Sequence, residues 1–548
     1  MMLLRKNRCA TRHHRRSGSL LLIVLVTVAI LALSVLSFSS LMLVEEQAAR
    51  AMTRRVQSKY LVGSGMEYTR LFLARPESEI VQNGGLWDNE ETFRGVATVA
   101  DINNPTRNAM IGRFTLVAPD LNDDGVPEGT RYGVVDESSK INVNVLPYYD
   151  FYGGEESTIG RDILLGLPEM TTDIADSILD FIDADDETRE AGLESGHYSG
   201  LNPPYAAKNG PLDSIDELLL VAGVTPELLF GLDTNRNGVL DDSEASLGNV
   251  SLTDAESVLG WANYLTLYSK ESNLTSDGLQ RININADDLD QLFDDLRSTF
   301  NDDWANFIMR ARVEGLPSIG TPPPDPEEAT IVPASQVPFE IPADAESDPE
   351  NRFFSVIQIM DTFISTTDAD GNQVWLESPI TSANASSSIP NAMQSLTVYE
   401  GESIPGRINI RHASRAVLSG IPGMDEELLE SIISVREVDL NDPALTDRNR
   451  KYETFLLVEG LLGEEPLVAK QRMIELMPYI CAGGDVYRAE ILGYFGDARG
   501  TSRAEVVFDT TRPVPQILLW RDKSHLQSGY SVEALGSELE AVGGQLDR

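Results

Sequence analysis

Residues 20–44, LLLIVLVTVAILALSVLSFSSLMLV, are 25 consecutive positions without a charged side chain, and no other feature restricts the chain as strongly. As a helix rising about 1.5 Å per residue the run is roughly 37 Å long, enough to cross a hydrocarbon layer of roughly 30 Å. The leader before it carries Arg5, Lys6, Arg8, Arg12, Arg15 and Arg16 and no acidic residue. Positive charge on that flank holds it in the cytoplasm and sends everything after Glu45 to the other side. A conventional cleaved signal peptide fits poorly, because the run exceeds the apolar core of about 7–15 residues such signals use and no small-x-small site closes it. An uncleaved anchor fits, and so does cleavage at Gly18-Ser19, where leader and helix meet. The helix then continues amphipathically from Glu45 to Arg75.

The 548 residues allow two to four domains with cores of their own, without disulfide staples. Cys9 and Cys481 are the two cysteines, and Cys9 lies in the leader, so the body is expected to keep one unpaired thiol. Formal charge is −43, a surface that repels nucleic-acid phosphates and attracts cations.

Beyond the helix, FTLVAP, DLNDDG and TRYGVVDESSKINVN from Phe114 onward alternate short apolar runs with turn residues, the pattern of a small sheet. Residues 160–311 and 407–480 show helical periodicity instead, as at Ile174, Ile178, Phe181 and Ile182. KINVN (140–144), RININ (281–285) and RINIR (407–411) repeat one strand-like phrase, and two of the three lead a longer repeat. LLGLPEMTTDIADSILDFID parallels LSGIPGMDEELLESIISVRE, and LLLVAGVTPELL parallels FLLVEGLLGEEPLV, which pairs Gly166 and Gly223 with Gly420 and Gly460. A duplicated helical module is expected, its first copy lengthened by the acidic insert at 183–210. Residues 317–350 are rich in proline and acid, a linker or ordered loop. FISTTDADGNQVWLE after it reads as a hairpin turning at Asp370-Gly371. VYRAEILGYF, AEVVFD and QILLWR close the chain as an antiparallel sheet, and little in the tail from Gln527 would fix it.

The basic leader, Gly18-Ser19 and long apolar helix resemble a type IV pilin or pseudopilin precursor, a family in which a prepilin peptidase cuts after the glycine and the helix becomes a filament spine. Most pilins carry glutamate at the fifth mature position, where this chain has Ile23, a departure shared by the minor pseudopilin K of type II secretion, thought to sit at the filament tip. Residues 180–229, DFIDADDETREAGLESGHYSGLNPPYAAKNGPLDSIDELLLVAGVTPELL, resemble that general secretion pathway protein K family most specifically, with phenylalanine at 181 where tryptophan is usual. The likeness runs from residue 18 to about 520, and the family does not explain 317–406. It implies an α+β fold: a transmembrane spine helix and a small antiparallel pilin-like sheet, interrupted by the large duplicated helical domain. The expected divisions are a leader 1–18, helix and stalk 19–75, first β region 76–144, module one with a calcium loop 145–316, linker and hairpin insertion 317–406, module two 407–480, closing β region 481–526 and flexible tail 527–548. By the same resemblance the protein is a structural subunit of a secretion pseudopilus tip, in the inner membrane with a periplasmic body. Its partners would be I-like and J-like minor pseudopilins, the prepilin peptidase and the inner-membrane secretion platform.

DTNRNGVLDDSE, residues 233–244, satisfies the twelve-residue calcium-loop pattern in full. Calcium takes six to eight hard oxygen ligands, here Asp233, Asn235 and Asn237 by side chain, Val239 by backbone, Asp241 through water and Glu244 by both oxygens, with Gly238 at the sharp turn. Asp183, Asp185 and Glu194 form a second candidate, suggested by the family. Asp120, Asn122 and Asp124 repeat half the loop pattern, with Arg131 where the glutamate would stand, and a β-turn explains them equally well. GLPEMT and GIPGMD resemble the turns of DNA-binding helix-hairpin-helix elements. Asp425, Glu426 and Glu427 follow the second turn, so like charge would face the phosphates and packing or protein docking is the expected role. His13, His14, His197, His412 and His525 show no metal-ligand spacing, and G-x-S-x-G, H-E-x-x-H and phosphate loops are absent from the sequence, so no enzyme is expected. An uncleaved, membrane-anchored calcium-binding or adhesive protein is the alternative, a DNA-binding protein the more distant one.

Overall fold

The architecture comes from a computed structural model, which describes residues 17–98, 111–154, 157–241, 244, 246, 259–318, 321, 324, 325, 327, 329–342, 351–436, 450–495, 500–526, 529–531 and 533–536. The leader 1–16, the side chains of Gly18 and Ser19 and the tail beyond 536 lie outside these residues. Helix α1 (Ser17–Leu73) is a single rod of 57 residues, long and apolar enough to cross a membrane. Its first half is bare, with every side chain from Leu20 to Val44 exposed. The second half is covered: Ser58, Leu61, Val62, Thr69, Phe72 and Leu73 are buried against a sheet.

That sheet joins the two ends of the chain. Its strands are β1 (Val96–Ala97), β2 (Gly112–Leu121), β3 (Pro127–Arg131), β4 (Val135–Asp136), β5 (Val486–Phe495), β6 (Ser502–Asp509) and β7 (Gln516–Asp522), in the spatial order β1-β2-β5-β6-β7, with β3 beside β2 and β4 beside β5. All pairings are antiparallel, and Glu490 to Phe495 of β5 register with Val117 to Gly112 of β2. Residues 141–480 are thus inserted between neighbouring strands of one sheet, as the pilin-like reading expects. Helix and sheet approach closely at Gly493, where a Cβ would sit 2.3 Å from the Ser58 carbonyl oxygen. Ile491, Val506 and Phe508 fill the interface with Val62 and Phe72.

The inserted domain departs from expectation in its repeat number. All three copies of the strand-like phrase open a module, and each pairs in parallel with the segment that closes its own module: Ile141–Asn142 with Leu265–Thr266, Ile282–Asn283 with Leu396–Thr397, and Ile408–Asn409 with Ile480–Cys481. In each, the asparagine side chain accepts from the backbone N–H two residues on, at 3.2, 2.9 and 2.9 Å. In the first two copies a second asparagine crosses the module. Asn144 accepts from Leu212 N–H and donates to its carbonyl at 2.7 and 3.0 Å, and Asn285 does the same to Phe353 at 2.8 and 2.9 Å. Two residues after each target, Ser214 and Ser355 open short 3-10 turns with complete capping boxes. The third copy carries Arg411 at the crossing position.

The middle module therefore replaces the linker and hairpin insertion expected over 317–406. The proline-rich stretch contributes Ala334, Val337 and Phe339 to the core, and Val356, Ile357, Ile359 and Ile389 follow. The hairpin is present, Phe363–Thr367 against Gln373–Glu377, as an addition within this module. Copies one and three meet where their helix-turn-helix glycines face each other: a Cβ on Gly166 would lie 2.7 Å from Gly420 N, and one on Gly420 would lie 2.4 Å from the Ile163 carbonyl oxygen. The turns that resemble DNA-binding elements thus meet at their opening glycines, while Glu169, Thr171, Gly423 and Asp425 stay exposed. Part of the expected flexible tail is also fixed, since Tyr530 and Leu535 pack on Val117, Leu492 and Tyr494. Cys481 is a buried free thiol.

Candidate functional site

The loop that follows helix Pro226–Phe230 is laid onto β6 and β7 by side chains from the far end of the chain. Arg503 of β6 donates to the carbonyls of Asn235 and Arg236 at 2.8 and 2.7 Å, Lys523 donates to the Arg236 carbonyl at 3.1 Å, and Tyr530 donates to that of Asn237 at 3.2 Å. Gly238 takes φ 75°, the left-handed turn the calcium pattern demands. Asp233 is buried and accepts from Asn237 N–H and Gly238 N–H at 3.0 and 2.8 Å. Burial pushes its carboxyl up to about 6, with those amides opposing the shift. Glu244 folds back across the loop, one oxygen accepting from Thr234 N–H and Asn235 N–H, the other from Asp241 N–H. Asn235 donates to Asp241 at 2.6 Å, and its own carbonyl oxygen Oδ1 is buried without a hydrogen-bond partner. Asn237 Oδ1 accepts from Val239 N–H at 2.7 Å.

The residues Asp233, Asn235, Asn237, Val239, Asp241 and Glu244 are thus on one loop, with an orphaned buried oxygen and a desolvated carboxylate among them. An all-oxygen donor set of that kind fits a hard divalent cation. The loop carboxylates are not drawn into one cluster. Among the described residues, the acidic group whose ligand atoms lie within 4.8 Å of one another is Asp180, Asp183 and Glu194.

In that second place the structure substitutes Asp180 for the expected Asp185. Asp180 and Asp183 are three positions apart at the end of helix Thr172–Ile182, so they share a face, whereas Asp185 is exposed and accepts from Glu187 N–H. Arg189 donates to Asp180 at 2.8 Å and also bonds Asp183. Asp183 Oδ1 and Glu194 Oε1 remain buried and unpartnered. Burial, then the neighbouring carboxylates, pushes Glu194 up to about 7, and burial pushes Asp183 up to about 6. The D-x-x-D start of the acidic insert carried the signal for Asp180.

Asp120, Asn122 and Asp124 lie in a turn. Asn122 Oδ1 accepts from Asp124 N–H and Val126 N–H at 3.1 and 2.9 Å, and Asp124 is paired with Arg415 at 2.8 Å. The turn docks the sheet onto the third module. Among the described histidines, His412 stacks on Trp87 with centroids 4.4 Å apart, while His197 sits edge-on to Tyr198.

Residues 162–233, which hold most of the first module's helices, the acidic trio and the first residue of the 233–244 loop, match the family model for type II secretion system protein K. Over that stretch the chain is similar to the protein K family. That family is a structural component of a secretion machine, and the bare half of α1 fits a single-pass anchor in such a component. The crystal structure of the GspK-GspI-GspJ complex from the type 2 secretion system of enterotoxigenic Escherichia coli aligns with 86% of this chain and 98% of its own, at 12% identity and a TM-score of 0.30. A likeness that loose carries no argument here. No curated protein matches the sequence.

Proposed function

We propose that this protein K homologue is a minor pseudopilin at the tip of a type II secretion pseudopilus, cut by a prepilin peptidase between Gly18 and Ser19. The observation that carries the reading is the asymmetry of α1: residues 20–44 expose an unbroken apolar surface, while the second half is sealed onto the sheet. Such a rod packs among like helices as they leave the bilayer, whose apolar interior otherwise solvates it. The leader stays in the cytoplasm and the body lies in the periplasm, anchored in the inner membrane. The triple-module domain is inserted into the sheet, a bulk and acidity that suit a subunit ending a filament better than one repeated along it. Its partners are I-like and J-like minor pseudopilins, with the inner-membrane secretion platform below.

Calcium belongs to the same proposal. Asp233, Asn235, Asn237, Asp241 and Glu244, with the Val239 carbonyl, hold one ion, and Asp180, Asp183 and Glu194 hold a second. A filled loop would lock the segment that Arg503, Lys523 and Tyr530 bind, tying the helical domain to the sheet. Photo-crosslinking from Leu33 and Leu36 tests the assembly. Adducts with I-like and J-like pseudopilins are expected, together with loss of secretion when the chain is deleted. Adducts with lipid alone and undisturbed secretion would contradict it.

A further inference from the structure

A cavity of about 280 Å³ lies where the sheet meets the first and third modules. Its lining is cationic in a chain of net charge −43, and the cations fall into two groups. One group is neutralised: Arg488 pairs with Glu137 and Glu505, Arg236 and Arg521 with Asp216, Lys523 faces Glu490 and Glu505, and Lys140 lies near Glu137 and Glu505. The other, Arg131, Arg411 and Arg436 around His412, is balanced only in part, by Asp120 and Asp88 near Arg131, Asp123 beside Arg436 and Glu77 toward Arg411.

Arg131 is 3% exposed, lies 3.6 Å over the Trp87 ring and bonds only backbone carbonyls, and its Nε is buried without a partner. Arg436 donates to the Ile410 carbonyl at 2.7 Å and reaches Asp123 at 3.4 Å. Arg411 makes no ion pair among the described residues. Burial pushes Arg131 down to about 9 and Arg436 to about 10. The His412 imidazole, pushed down to about 3 by burial and then by Arg411, Arg131 and Arg436, is neutral. Leaving the Arg131 and Arg411 guanidinium groups desolvated and without an ion pair among the described residues is costly, and this chain has 86 carboxylates from which a partner could have come.

We propose that this cavity binds a small organic anion whose carboxylate or phosphate oxygens are held by Arg131, Arg411 and Arg436. Planar guanidinium forks match both oxyanions, which is why arginine serves such sites. Trp87, Tyr264, Leu121 and Val417 give the organic body apolar walls, and the volume is near the lower end of small-ligand sites, roughly 300–1,000 Å³. The neutral His412 ring, stacked on Trp87, adds a hydrogen-bonding edge without another buried charge.

The test uses the full chain in detergent, in calcium-free buffer at fixed ionic strength, titrated calorimetrically with citrate, glycerol 3-phosphate and inorganic phosphate against chloride. Saturable binding of one equivalent is expected for at least one of the three. Preference for citrate marks a carboxylate ligand, preference for glycerol 3-phosphate a phosphate ester, and binding of inorganic phosphate alone a free phosphate site. Arg411→Gln removes a cation that makes no ion pair among the described residues, so the anion-free Tm should hold while affinity falls about tenfold or more. Arg436→Lys keeps the charge and loses the fork, and should weaken binding too. Absence of saturable binding by all three anions, or unchanged affinity in both variants, would overturn the proposal.

Discussion

Asn235 Oδ1 is a buried acceptor with no donor, in a loop whose first carboxylate is already held above its ordinary range by burial. A calcium ion would satisfy both at once. At a calcium concentration about 100 times Kd, binding adds about 2.7 kcal/mol to stability. Glu244→Gln should remove most of that gain, so its Tm should rise far less on calcium addition than that of the parent. Differential scanning calorimetry with calcium and with chelator reads the difference.

Asp485 makes a separate, metal-independent prediction. It accepts from Ser272 N–H at 2.6 Å, and burial, followed by Glu271 and Asp136, pushes its carboxyl up to about 7. A carboxyl with a folded pKa above its unfolded value, about 3.9, costs stability as pH rises between the two. Asp485→Asn should therefore match the parent near pH 4 and gain on it steadily up to about pH 7. Above that the gap should stay constant. Equal melting curves for the two proteins from pH 4 to 8 would refute the assignment.

At the scale of elements, the modules are held by repeated local devices rather than by long helices. Asn144 and Asn285 make the same pair of cross-module bonds in copies one and two, so Asn144→Ala and Asn285→Ala should cost similar amounts, about 1–3 kcal/mol each in urea unfolding. The glycine contact between copies one and three is tighter still. Gly420→Ala places a methyl 2.4 Å from the Ile163 carbonyl oxygen and should destabilise by about 1–3 kcal/mol through forced displacement of backbone. The spine helix, the interrupted sheet, the hairpin at Asp370-Gly371 and the calcium-loop pattern were all legible in the sequence, because each is written in contiguous residues. The middle module was hidden because its apolar positions are divided among short turns, a proline-rich crossing and an added hairpin, which erases the helical period although RININ marks its start. Asp180 was passed over for Asp185 because the choice depends on where helix Thr172–Ile182 ends. The arginine group around His412 could not be read at all, since Arg131, Arg411 and Arg436 meet only when the third module docks on the sheet.

At the scale of the whole molecule, the chain is a bare apolar rod, a sheet sealed to its second half and a three-module body spliced into that sheet. The splice makes body and spine inseparable: β5 follows the third module directly and pairs with β2, so loosening the body should also loosen the support of α1. The glycine contact at 166 and 420 provides the handle. In Gly420→Ala, hydrogen exchange should speed up in β5 as well as in the modules, whereas an autonomous body would leave β5 unchanged. Among the described residues nothing covers the apolar half of the rod, and a processed pseudopilin is the account that gives it a cover. N-terminal sequencing of the protein extracted from membranes tests that account most directly. The account predicts a mature chain beginning at Ser19, and an intact chain retaining residues 1–18 would contradict it.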